Sequence, residues 1–113
     1  MDQLTFSYNW NNKLEGKFYT TIRLASPKYV VGKCFEVYLK GKKIHHAQVA
    51  EIRGLKLNDI NSFIAGIDTG YSVPACKNKI KKMYRDRDWV TQNLMLVLLQ
   101  VVTEQDTKQF EPY

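Results

Sequence analysis

The segment Gly16-Lys17-Phe18-Tyr19-Thr20-Thr21-Ile22-Arg23 sets a glycine turn before a short strand that ends in Thr-Ile-Arg. Alternate side chains of an extended strand share a face, so Tyr19, Thr21 and Arg23 lie on one side and Phe18, Thr20 and Ile22 on the other. The second set is largely apolar and suits a core. The first set lines up an aromatic ring, a hydroxyl and a guanidinium, groups that together grip a polar planar ligand or a phosphate. The same alternation also fits an edge strand with one solvated face. Arg23 in particular has two uses: a bidentate grip on a phosphate or base edge, or a structural pair with Glu36 or Asp68.

Charge gives a second lead. The chain carries a formal net charge of +6 and a sequence pI near 9.3, which favours anionic partners without identifying one. Lys77, Lys79, Lys81, Lys82, Arg85 and Arg87 crowd into one stretch opposed there only by Asp86, and Lys40, Lys42 and Lys43 form a looser cluster. Such a run is either an electrostatic footprint for RNA or a solvated helix face. Tyr19, Tyr38, Tyr71, Trp10 and Trp89 are candidates for stacking on a nucleobase, or else pack the core and its rim. His45 and His46 are adjacent, so on a strand they face opposite ways, and the sequence has no other histidine; no metal site and no cofactor is expected. Cys34 and Cys76 are too few for a disulfide framework or a zinc motif and read as buried free thiols.

The elements that must position these residues follow from periodicity. At 113 residues the chain makes one domain over 1–102 with a polar C-terminal tail over 103–113. Leu4 to Tyr8 alternates as a first strand, and Asn9-Trp10-Asn11-Asn12 breaks it, since asparagine favours turns and tolerates left-handed backbone. After the strand through Arg23, Pro27 marks a loop. Cys34 to Leu39 is a strand whose Phe35, Val37 and Leu39 face the core. Lys40-Gly41-Lys42-Lys43 turns the chain into a return strand from about Ile44 to Arg53, with a bulge near His45-His46. Ile60, Phe63, Ile64 and Ile67 have helical spacing with Asn58 as N-cap, and a second helix starts near Ser72 with Pro74 in its first turn. Gln92 to Val102 is a near-continuous apolar strand, central and covered on both faces. The longest apolar run, Leu94 to Leu99, is far short of the about 18 residues of a membrane span, and the N-terminus has no leader pattern, so a cytoplasmic protein with no membrane partner is expected.

Strand, strand, strand, strand, two helices, strand is the order of a small α+β, partly closed β-barrel of about five to six strands with two helices on one side. That order resembles the ASCH domain family, whose members adopt a PUA-like barrel. The resemblance is carried by Gly16-Lys17, Thr21-Ile22-Arg23, Val31-Gly32-Lys33 leading into Phe35-Glu36-Val37, the helices ending at Met83-Tyr84 and the final strand, covering residues 4 to 102. It implies RNA binding, and one branch of the family consists of small amidohydrolases that deacetylate acetylcytidine with a lysine, a threonine and a glutamate. Thr21 stands at the threonine position. The lysine position, three residues earlier, holds Phe18, with Lys17 beside it, and the segment of the glutamate offers Asp68 and Thr69.

The resemblance therefore implies a module that binds RNA or a nucleotide-like small molecule. Tyr19, Thr21, Arg23, Asp68 and Tyr71 would line its cleft, and the Lys77–Arg87 run would steer the backbone. The alternative is an amidohydrolase acting on an acylated nucleoside, with Thr21, Lys17 and Asp68 as catalytic residues. A third possibility is an interaction protein that keeps the fold without the ligand.

Overall fold

The computed structural model describes residues 1–103; apart from Thr103, the expected polar tail lies outside them. Five strands, β1 (Gln3–Phe6), β2 (Phe18–Leu24), β3 (Cys34–Leu39), β4 (Lys42–Leu55) and β5 (Leu94–Val102), form one sheet in the order β1-β3-β4-β5-β2. The sheet curls into a half-barrel, with helices α1 (Ser62–Asp68) and α2 (Val73–Met83) packed on one side, an α+β arrangement as expected. β1 runs parallel to β3 and every other pairing is antiparallel.

Curling has a local cause. The pairing of β4 with β3 slips past Ile44, between Val37↔His45 and Tyr38↔Lys43, next to the expected position. It slips again against β5 at Ala50, between Val49↔Leu99 and Glu51↔Leu98. Each extra residue bends the strand and increases its twist, so a 14-residue strand wraps instead of lying flat. At the head of the hairpin Lys40 and Gly41 both have positive φ (51° and 81°), the conformation that a tight β-turn of this hand requires.

Strand alternation divides the core in two. Val97 and Leu99 of β5 join Leu4, Phe35, Val37 and Tyr19 inside the curl, while Leu94 and Leu96 join Ile22, Ala65, Cys76 and Ile80 beneath the helices. β5 therefore has apolar neighbours on both faces, as a near-continuous run requires. Within β2 the two faces separate as the alternation predicts, but neither is solvated: Tyr19 and Thr21 are buried on the concave side, and Thr20 and Ile22 on the helix side. Phe18 is the exception. It lies past the cover of the helices and is exposed.

The first helix differs from expectation. Leu57–Asp59 is a 3-10 turn, and the N-cap is Asn61, whose side chain accepts from the Ile64 N–H at 2.9 Å, not Asn58. Ile60 is buried ahead of the helix, but Phe63 is 74% exposed and Ile67 is also exposed. The two-turn helix instead turns Ala65 and Asp68 inward, because Asp68 is tied to β2 by a buried hydrogen bond. The second helix begins as expected, with Ser72 capping it and Pro74 in the first turn. Cys34 and Cys76 are both free, Cys76 buried and Cys34 only half-buried.

His45 reports on the core. Its Nε2 lies 2.9 Å from the Tyr19 hydroxyl, and burial holds its pKa below the ordinary 6.5. A group whose folded pKa is depressed takes up protons more readily when unfolded, so its stabilising effect is present above 6.5 and is lost as pH falls through the folded value. The thermal midpoint should accordingly decline as pH drops below 6.5, with a shallower decline in His45→Gln. Parallel curves for the two proteins would remove His45 from the acid response.

Candidate functional site

β1 and β2 are the two edges of the half-barrel, so the chain joining them must cross the open seam. It does so through a 3-10 segment, Trp10–Glu15, in which Asn11 and Asn12 both adopt left-handed backbone (φ 57° and 52°). Asparagine tolerates this conformation better than most residues. Asn9 Oδ1 accepts from the Leu14 N–H at 2.9 Å and closes the turn. Leu14 is thereby buried in the barrel core, and Lys13 points into the seam.

There Lys13 meets the end of α1. Its Nζ lies 2.9 Å from Asp68 Oδ1, and the Thr20 hydroxyl donates to the same oxygen at 2.8 Å. Both charged side chains are nearly sealed, at 6% and 8% exposed. Burial pushes the Lys13 pKa below the usual lysine value; the Asp68 carboxylate opposes that shift, and the nearby Arg23 charge adds to it. Among the described residues no donor falls on Asp68 Oδ2.

Arg23 stitches the seam from the other side. Its Nε donates to Thr21 Oγ1 and its Nη2 to the Thr5 carbonyl of β1, each at 2.9 Å. The guanidinium stands 4.7 Å from the centre of the Phe6 ring, and Lys13 Nζ stands 5.7 Å from the same ring. Cation–ring contacts of this kind are worth about 0.5–2 kcal/mol, more as water is excluded. Phe6 thus forms a floor shared by two cations.

Above this floor is a cavity of about 310 Å³. Thr21 and Arg23 come from β2, Thr5 and Phe6 from β1, Trp10 and Lys13 from the crossing segment, and Asp68 and Thr69 from the end of α1. α2 supplies the remaining wall with Lys79, Ile80, Met83 and Tyr84. The connection between the helices is pinned to the crossing segment. Gly70 has φ +75°, and a Cβ there would approach the Asn11 side chain at 3.1 Å. Thr69 Oγ1 donates to the Ala65 carbonyl and accepts from the Tyr71 N–H.

The structure thus brings together Thr21, Arg23 and Asp68 of the residues singled out in the sequence. Three others fall elsewhere. Tyr19 shares the concave face but lies within the core, its hydroxyl bonded to His45, and Tyr71 is 37% exposed outside the cavity lining. Lys17 is exposed and also outside the lining, because it sits in the bend ahead of β2, beyond the part of the strand that faces the cavity. The buried lysine is Lys13. Of the stacking candidates only Trp10 lines the cavity, joined by Tyr84. Of the basic run Lys79 lines it, Lys77 is half-buried, and Lys81, Lys82, Arg85 and Arg87 are exposed beyond it. Arg23 pairs with neither Glu36 nor Asp68; both its acceptors, the Thr21 hydroxyl and the Thr5 carbonyl, are neutral.

Among the described residues no group of three or more His, Cys, Asp or Glu could hold a metal ion, and no helix is long and apolar enough to cross a membrane. No family model, curated protein or solved structure matches the chain.

Removing one member of a buried pair leaves the other charged and unpaired, which costs about 3–5 kcal/mol. Asp68→Ala should therefore lower unfolding free energy by about that amount in urea titration. Adding Lys13→Met should recover most of the loss, and a double variant as unstable as the single one would mean that the two charges are not coupled.

Proposed function

We propose that the seam cavity binds a nucleoside-like ligand, either free or as one residue of an RNA. The observation that carries this reading is the convergence of two aromatic side chains, Trp10 and Tyr84, with Lys13, Thr21, Arg23 and Asp68 on one cavity of about 310 Å³. That volume lies at the lower end of the range for small-ligand sites and suits one nucleoside. The rings offer faces for a base, Arg23 offers donors, and Asp68 Oδ2 is an acceptor for an N–H or hydroxyl of the ligand. The resemblance to ASCH domains, with their PUA-like barrel, points the same way. So do the exposed Lys81, Lys82, Arg85 and Arg87 next to the α2 wall, which would attract an RNA backbone.

A second reading, amide hydrolysis of an acylated nucleoside, is favoured by a separate observation: a hydroxyl, an amine and a carboxylate, those of Thr21, Lys13 and Asp68, line the same cavity. The amine comes from the crossing segment rather than from the strand position that the family uses. In this reading neutral Lys13 takes the Thr21 proton as Oγ1 attacks the acyl carbon. Lys13 then returns the proton to the departing amine, and water cleaves the resulting ester to release acetate and restore Thr21. The Arg23 guanidinium bonded to Thr21 Oγ1 favours negative charge on that oxygen. Asp68 orients Lys13.

Titration calorimetry with acetylcytidine tests both readings. Saturable binding is expected, with acetate release that Thr21→Ala abolishes while the variant still binds. Binding without release in the native chain would retire hydrolysis alone, and no binding would retire both for this ligand.

Where turnover occurs, its rate should rise with pH, because the base is Lys13 in its neutral form. The midpoint should fall below the ordinary lysine value of 10.5, in the direction that burial moves this amine. A rate that declines with rising pH over that range would exclude Lys13 as the base.

A further inference from the structure

The charges on the cavity do not cancel. Lys13, Arg23 and Lys79 face it with a single carboxylate, Asp68, and that carboxylate is engaged by Lys13. Arg23 donates only to the neutral Thr21 hydroxyl and Thr5 carbonyl, and Lys79 has no ion pair among the described residues. Two positive charges on the lining of a small, partly enclosed site are left without a counter-charge.

We infer that the two uncompensated cations of the cavity lining, Arg23 and Lys79, draw a phosphate group into the cavity, so that the preferred ligand is a phosphorylated nucleotide residue rather than a bare nucleoside. This rests on the reading of the cavity as a nucleoside site and deepens it. A phosphate monoester carries about −1.5 to −2 charges at neutral pH, which matches the uncompensated charge. Arg23 is already oriented: Nε and Nη2 are tied to the two seam strands, and the guanidinium stands 4.7 Å from the centre of the Phe6 ring. Of its five N–H groups, those two bonds occupy two, and the others remain for an oxyanion. A cation fixed in advance loses little freedom on binding, which favours affinity. Lys79, exposed on α2 and part of the cavity lining, supplies a second charge. The cavity holds one nucleotide residue, either a free mononucleotide or the phosphorylated end of an RNA.

The test is calorimetry on the full chain with cytidine, cytidine 5′-monophosphate and inorganic phosphate. The monophosphate should bind about ten- to a hundredfold tighter than cytidine, the range expected for added charge-assisted hydrogen bonds. Lys79→Gln should narrow that gap. Because the Lys79 side chain is exposed and makes no hydrogen bond or ion pair among the described residues, this variant keeps the test independent of folding, whereas Arg23→Gln also loosens the seam. Cytidine and its monophosphate binding equally would overturn the phosphate seat and leave the nucleoside reading standing. Neither binding would overturn both. A short oligoribonucleotide with a terminal 3′-phosphate, added in competition, separates the two sources: displacement of the monophosphate assigns the seat to an RNA end, and failure to displace it assigns the seat to a free nucleotide.

Discussion

A buried ion pair between Lys13 and Asp68 organises the cavity end of this protein. Two charges removed from water gain little net stability unless their remaining hydrogen-bonding capacity is also met. Here Thr20 gives the carboxylate a second donor, and the Phe6 ring faces the ammonium. The pair joins three pieces of chain distant in sequence: the segment that crosses the seam, strand β2 and the end of α1. It also explains the orientation of α1, whose apolar Phe63 and Ile67 face outward while an aspartate faces in. A polar tether has determined the rotation of a helix too short for its apolar stripe to prevail.

The second organising constraint is the incomplete closure of the sheet. An open sheet leaves unpaired backbone groups at each edge, and here the edges face each other across the seam. Arg23 meets part of this deficit by donating to the Thr5 carbonyl, so a side chain does what a sixth strand would do. The site and the closure of the fold share this residue. Its orientation toward the cavity follows from its duty to the barrel.

How much of this could be read in the chain depends on the range of the interaction. Strands, turns and the first of the two bulges in β4 rest on local patterns, and those patterns were sufficient: alternation in β3, a glycine in the Lys40-Gly41-Lys42-Lys43 turn, and a break in phase near His45. The second bulge, at Ala50, had no such signal. Thr21 and Arg23 were legible because strand periodicity alone puts them on one face. Lys13 was not. It belongs to a short aperiodic segment, and its aim depends on two consecutive left-handed residues. Asn11-Asn12 signals a turn there, but nothing nearby specifies where the turn points. Tyr19 was misjudged for the opposite reason. Its face was correct, but a face of a curled sheet runs from cavity to core, and one-dimensional alternation has no measure of depth. The stripe through Phe63 and Ile67 was sound as a helix signal and silent about a tertiary hydrogen bond that outweighs it.

Sheet order also governs when the cavity can exist during synthesis. β2 carries Thr21 and Arg23, yet its only neighbour in the sheet is β5, the last strand of the described chain. β1, which supplies the facing edge, pairs among the described strands with β3 alone. A ribosome-bound chain that stops short of β5 can form the β3–β4 hairpin and dock β1 on it, but β2 then has no ladder to join. Such long-range pairing is slow to form and comes late. The cavity consequently forms only once β5 has been made, and a translation product that stops short of β5 lacks the ladder that holds Thr21 and Arg23 in place.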